Sequence, residues 1–119
     1  MRQLTFASLQ VKDLEASKDF YTNQLGFEVE SSNPQAYVFK YKEGEASFAI
    51  RTPLEPIEGK EVGVGSALWF AVDEDVEVLK EDLAGKGVST AGPIIETPFG
   101  RAFHVIDLDG YKLTFLEVK

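Results

Sequence analysis

Few side chains in this sequence are equipped for chemistry, and their types narrow what the chain can do. There is one histidine, His104, one tryptophan, Trp69, and no cysteine. Without cysteine there is no thiol nucleophile, no disulfide and no thiolate metal site, which fits a reducing, cytoplasmic setting. As a general base His104 needs a partner to orient it, and none stands beside it in the sequence. Its other readings are a polar contact in a pocket or an ordinary satisfied histidine. Asp107 and Asp109 resemble a catalytic carboxylate pair, but Asp107-Leu108-Asp109-Gly110 reads first as a turn. Aspartate bonds its own backbone there, and Gly110 supplies positive φ. Arg51 and Arg101 are candidates to clamp an anionic group, or to pair with surface carboxylates. Trp69 is either a core residue or a wall on which a flat ligand stacks. Glu58, Lys60 and Glu61 read as solvated charges.

The elements that must position these residues follow from periodicity. Residues 4–11 alternate as a strand, with Thr5, Ala7, Leu9 and Val11 on one face and Phe6, Ser8 and Gln10 on the other. Asp13 is a helix N-cap, and residues 14–25 carry an amphipathic stripe that Gly26 ends. Strands follow at 27–31, 37–41 and 46–51, separated by turns at 32–34 and 42–45. Residues 53–65 have no period and contain Pro53, Pro56, Gly59, Gly63 and Gly65, as a linker or flap does. Residues 66–72 are again a strand, with Ala67, Trp69 and Ala71 opposite Leu68, Phe70 and Val72. Asp73 is a candidate cap for a second helix over 75–85, with the stripe Val76, Leu79 and Leu83. Residues 88–91 are a strand or the start of a loop, and 93–98 are extended. A closing hairpin pairs 101–106 with 111–118.

The grammar is strand, helix and three strands, a linker, then the same again. Sliding the sequence on itself lays Val11 on Val72, Asp13 on Glu74, Gly26 on Gly87 and Phe27 on Val88. The spacing is too long for the common solenoid repeats, so it predicts two paired modules, about 1–52 and 66–119, in one domain. A ferredoxin-like βαββαβ domain is the competitor, but it has two strands between its helices where this pattern has four.

With 119 residues, 44% hydrophobic and 27% charged, the composition is that of a globular domain. No apolar run approaches a membrane span, and no basic region precedes a long apolar one, so neither membrane insertion nor a signal peptide is expected. Twelve basic against 20 acidic residues give a net charge of −8, with no basic stripe to track a nucleic acid. The acidity serves solubility or attracts cationic ligands.

Two segments carry a family resemblance. V-K-D-L-E-A-S-K-D-F-Y-T-N-Q-L-G-F runs from Val11 to Phe27, and D-L-D-G-Y-K-L-T-F-L-E from Asp107 to Glu117. Together with the repeated module they resemble the vicinal oxygen chelate superfamily, the group of glyoxalase I, bleomycin-resistance proteins and extradiol dioxygenases. The second segment departs from the family pattern at Leu108, where proline is usual, and at Thr114, where glutamate is usual.

The resemblance implies an α+β fold of two paired βαβββ modules whose curled, cup-like mixed sheet carries its helices on the outer face. It also implies four positions for the ligands of one divalent ion, such as Zn, Ni, Mn or Fe. These fall on Phe6, five before Val11; near Ala49 on the fourth strand; on Ala67, six before Asp73; and on Thr114, four after Gly110. Phenylalanine and alanine offer no lone pair, and a threonine hydroxyl is a weak neutral ligand. The expectation is therefore no metal at the family site and no Lewis acid for lyase, isomerase or dioxygenase chemistry.

Strand alternation then supplies the lining of the concave face. Ser8 and Gln10 join Phe6, Ser47 and Arg51 join Ala49, and Trp69 and Ala71 join Ala67. Lys112 and Leu116 join Thr114, and Ala102, His104 and Ile106 fall on the same side. Phe39 and Arg101 complete the candidate ligand-binding set. Such a lining suits a planar or aromatic organic molecule. The expected function is metal-free sequestration of a small molecule, of the bleomycin-resistance type, in a protein that the resemblance makes a homodimer. One alternative is a lyase or dioxygenase-like enzyme using displaced metal ligands such as His104, Glu117 or Gln10. Another is a partner-binding or regulatory module with a vestigial pocket.

Overall fold

The computed structural model of the chain describes residues 2, 6–40 and 47–118. Leu4, Thr5, Tyr41, Ala46 and the expected turn at 42–45 lie outside the described residues, as does the side chain of Ser47. The chain divides into two compact units, Met1–Lys60 and Glu61–Lys119.

The first unit runs β1 (Phe6–Gln10), α1 (Leu14–Asp19), β2 (Glu28–Asn33), β3 (Ala36–Lys40) and β4 (Ser47–Arg51). The sheet order is β1-β4-β3-β2, with β1 and β4 parallel and the other pairs antiparallel. The second unit repeats the pattern with β5 (Leu68–Val72), α2 (Val76–Gly85), β6 (Ser89–Thr97), β7 (Gly100–Ile106) and β8 (Lys112–Glu117). Its order is β5-β8-β7-β6, again with the first pair parallel. Two four-stranded sheets of this order are not a ferredoxin-like domain.

Local chemistry explains the elements. Asp13 caps α1 by accepting from the Ala16 N–H at 3.0 Å. The helix does not stay α-helical to its end: Phe20–Gln24 is a π-helical turn, with the Leu25 N–H donating to the Phe20 carbonyl at 3.1 Å. Within it the Thr22 hydroxyl donates to the Lys18 carbonyl at 2.8 Å, which loosens the α-helical ladder locally. Gly26, at φ 86°, ends the segment.

The second helix corrects an expectation. Its cap is Asp75, not Asp73: the Asp75 carboxylate accepts from the Glu77 N–H at 2.8 Å and, more weakly, from that of Val78 at 3.4 Å. The ambiguous stretch after it is one long strand, β6, whose register shifts between Ala91 and Ile95. Pro93 sits inside that bulge, where no ladder N–H is required of it. The corresponding edge strand of the first unit, β2, shifts register too, between Val29 and Ser31.

Each unit buries one face of its sheet under its own helix. In the first, Tyr21 stacks on Phe39 at 5.5 Å and meets Phe48 at 5.5 Å, while Phe27 packs edge-on against Phe48 at 5.0 Å. Leu9, Val11 and Ile50 complete this core. In the second, Val76 and Leu83 of α2 are buried, as are Phe103, Val105, Leu113 and Phe115 from the strands. Phe115 joins them by stacking on Phe103 at 5.7 Å and meeting Phe70 at 5.7 Å. Alternation leaves the opposite, helix-free face of each sheet for other uses.

Candidate functional site

On the second unit, strand pairing puts three candidate residues in one row of the helix-free face. Trp69 on β5 is level with Thr114 on β8, and Thr114 with His104 on β7. Thr114 is 3% exposed, and its hydroxyl lies 2.7 Å from His104 Nδ1. Trp69 remains 47% exposed. Ala71 is exposed beyond it, and Ala67 is exposed just before β5 begins. Burial lowers the His104 pKa below the usual histidine value, and the Lys112 ammonium adds to the effect. His104 is therefore a neutral imidazole near pH 7.

One member of this site carries no expectation from the sequence. Phe99 is 74% exposed in the β6–β7 turn, and its ring packs at 85° to that of Trp69, with centroids 6.5 Å apart. The signal was present in Thr97-Pro98-Phe99-Gly100, a turn motif between two extended pieces. What hid it is that a turn residue has no strand alternation to assign its direction.

Two residues expected on this lining are elsewhere. Phe39 is fully buried on the helix side of the first sheet, stacked on Tyr21. It alternates with Val38, which is level with Ala49, so it cannot share the face of Ala49. Arg101 also faces its helix. Its Nε and Nη2 donate to Glu117 at 3.0 and 3.2 Å, and its Nη1 donates to Glu77 at 3.0 Å. Asp75 stands 3.7 Å away. With three carboxylates around it, Arg101 ties β7 and β8 to α2 and is not a clamp for a ligand anion. Glu117 is removed from the displaced-metal set by the same geometry, since it lies on the face opposite His104.

The first unit places Phe6, Ser8 and Gln10 on its helix-free face, with Ala49 and Arg51 beside them. Phe6 is 45% exposed and Ala49 is 2% exposed. Gln10 Oε1 accepts from the Leu54 N–H at 3.0 Å, and Arg51 Nε donates to the Thr52 carbonyl at 3.0 Å. Both side chains thus fasten the chain leaving β4. Ser47 is level with Phe6 in the backbone register.

At the four positions where a family metal would be held, the side chains do not fit one. Phe6, Ala49 and Ala67 carry no donor atom, and the single oxygen at Thr114 is engaged by the His104 ring. Among the described residues no group of three His, Cys, Asp or Glu side chains is placed to hold a metal ion. Asp107, by contrast, serves the turn expected of it: its Oδ1 accepts from the N–H groups of Asp109, Gly110 and Tyr111 at 2.9, 2.9 and 2.8 Å.

Comparison with known proteins agrees with this architecture. Among solved structures, TnmS3, an antibiotic binding protein from Streptomyces sp. CB03234, superposes with a TM-score of 0.80 at 24% identity over 100% of this chain and 98% of its own. A superfamily member from Sphaerobacter thermophilus DSM 20745 gives 0.77 at 24% identity, covering 98% of both chains. A glyoxalase/bleomycin resistance protein from Streptomyces sp. CB03234 gives 0.75 at 26% identity, over 94% of this chain and 97% of its own. A search of the curated proteins finds no match. The family model for the Glyoxalase/Bleomycin resistance protein/Dioxygenase superfamily matches residues 3–115, nearly the whole chain, and the protein belongs to that superfamily.

Proposed function

We propose that this chain is a small-molecule binding protein that holds a planar or aromatic organic ligand on the helix-free face of its second unit, without a metal ion. The observation that carries this reading is the row Trp69, Thr114 and His104. A half-exposed indole and a neutral imidazole flank Thr114, which stands where the family pattern has a carboxylate and is hydrogen-bonded to that imidazole. An apolar wall with a few oriented polar groups is what a ligand site for a flat molecule requires. The antibiotic binding of TnmS3 belongs to a protein of the same fold, and sequestration of an antibiotic or similar compound by this chain is part of the proposal. So are action as a homodimer in the cytoplasm and independence of any cofactor. No helix among the described residues is long and apolar enough to cross a membrane.

Trp69 is the only tryptophan, so its fluorescence reports this face directly. Titration with flat aromatic compounds, antibiotics among them, should quench it saturably. A Trp69 signal unmoved by compounds that calorimetry shows to bind would remove the stacking role. Protein purified without chelators should contain far less than one equivalent of Zn, Ni, Mn or Fe, and near-stoichiometric metal would overturn the metal-free reading. Thr114→Glu alone should not create a metal site, because Phe6 and Ala67 still supply no donor. Tight metal binding by that variant would show that the four positions are wrongly assigned. Sedimentation of the purified protein tests the dimer.

A further inference from the structure

Trp69 and Phe99 are two large aromatic side chains left in water while touching one another, which marks a binding surface. Their perpendicular rings form an inside corner. A flat ring laid parallel to one meets the other edge to face, and both arrangements are favoured between aromatics. The turn that presents Phe99 is already fixed. Pro98 holds its own φ. The Thr97 hydroxyl donates to the Gly100 carbonyl at 2.7 Å and accepts from the Phe99 N–H at 3.1 Å. Gly100 has φ 138°, and a Cβ there would lie 2.6 Å from the Glu117 carbonyl oxygen. A turn whose backbone is held in place before the ligand arrives loses little backbone freedom on binding.

Across Thr114 from this corner, His104 has a defined polarity. The buried Thr114 hydroxyl has one hydrogen-bond partner among the described residues, His104 Nδ1. A buried hydroxyl proton without an acceptor is costly, so the hydroxyl donates and Nδ1 accepts. The ring proton then resides on Nε2, which has no partner among the described residues and is not sealed from solvent. Trp69 and His104 stand two strands apart, about 10 Å, with only the small Thr114 between them.

We propose, resting on the binding function above, that this face selects flat ligands of two or three fused aromatic rings that carry an accepting oxygen, such as a carbonyl, at the end away from the Trp69–Phe99 corner. The rings fill the corner and span Thr114, and the oxygen accepts from His104 Nε2–H.

Two measurements test it. Long-range ¹H–¹⁵N NMR of the only histidine reads the tautomer without any ligand: a proton on Nε2 is expected, and a proton on Nδ1 overturns the assignment. Binding is then measured by calorimetry and Trp69 quenching with acetophenone, 2-acetylnaphthalene and 2-acetylanthracene, with 2-ethylanthracene as the carbonyl-free control. The two- and three-ring ketones should bind about tenfold more tightly than acetophenone, and 2-acetylanthracene about fivefold more tightly than 2-ethylanthracene. The latter ratio should fall to about one in His104→Phe, and likewise in the double variant His104→Phe/Thr114→Val, which leaves no orphaned hydroxyl. Phe99→Ala, at an exposed position that does not endanger folding, should weaken the multi-ring probes about fivefold. If the probes bind and quench Trp69 but neither Phe99→Ala nor His104→Phe changes the pattern, this selection is wrong while the binding function stands. If no probe binds the wild-type protein, both fail together.

Discussion

At the scale of single residues, His104 and Arg101 show how one strand serves two faces. Burial and Lys112 together depress the His104 pKa, and its paired neighbours on the helix-free face, Ala91 on β6 and Thr114 on β8, carry no charge to oppose them. The folded state therefore binds a proton at His104 less readily than the unfolded chain, whose histidine titrates near 6.5. The stability this contributes is complete above pH 6.5 and is lost as pH falls from there through the folded value. Melting curves should show it as the difference between wild type and His104→Gln, which is flat from pH 8 to 7 and narrows below pH 6.5. A difference independent of pH would mean that the ring is not linked to folding. Three places earlier on β7, Arg101 faces the helix instead, fork-to-fork with Glu117, whose side chain is only 12% exposed. Arg101→Ala should lower Tm and leave Trp69-reported ligand binding unchanged. Arg101→Lys should rescue little of the Tm, because an ammonium cannot reproduce two parallel N–H···O bonds. A loss of ligand affinity in Arg101→Ala would return this arginine to the binding face. The sequence offers both residues as candidates, and the alternation that puts Ala102, His104 and Ile106 on one face already puts Arg101 on the other; the carboxylates that hold it are what the sequence does not show. Alternation sorts residues once a strand's inward face is known, and Arg101, at the start of β7, has its carboxylate partners 16 and 24 positions away.

At the scale of elements, the closing hairpin carries the family motif and much of the local stability. Asp107 is 7% exposed, and one of its oxygens gathers the N–H groups of three consecutive residues. Removing that oxygen orphans donors in a tight turn, so Asp107→Ala should cost about 2–3 kcal/mol in urea unfolding, with Asp107→Asn costing about half as much. An unchanged m-value would locate the loss in the native turn, and amide exchange at Asp109, Gly110 and Tyr111 should rise with it. A loss below about 0.5 kcal/mol would mean that backbone geometry alone holds the turn. This element was legible because turn chemistry is local: Asp and Gly do their work within four residues. The strand and helix order was legible for the same reason, since periods of 2 and 3.6 need no distant information. What stayed hidden depends on contacts the periods do not encode. The π-helical turn after Asp19 coincides with the Thr22 hydroxyl bond and with burial of both Phe20 and Tyr21, and no sequence period encodes it. The side on which Phe39 lies is not legible because Tyr37-Val38-Phe39 is apolar on both faces, and only the stack on Tyr21 decides which side is inward. The direction of Phe99 is not legible because a turn has no period at all.

At the scale of the whole molecule, the net charge of −8 and the local charge of the binding face pull in different directions. Eight excess negative charges set a field that draws cationic ligands from a distance, but salt screens it beyond about 10 Å at 0.1 M and about 3 Å at 1 M. Lys112 shares the face of Thr114 and adds a local positive charge that is felt at His104. Long-range attraction governs encounter, and short-range contacts govern escape. A cationic aromatic probe such as 2-(aminomethyl)naphthalene should therefore associate severalfold faster at 10 mM than at 500 mM salt. Its dissociation rate should change little, and the neutral 2-ethylnaphthalene should show no salt dependence in either rate. Stopped-flow quenching of Trp69 measures both rates in one experiment. If the salt effect falls on dissociation instead, the acidic surface contacts the bound ligand directly, and the binding face must extend to carboxylates beyond the row of Trp69, Thr114 and His104. If neither rate responds, the charge serves solubility alone, and ligand selection rests entirely on that row and the ring of Phe99.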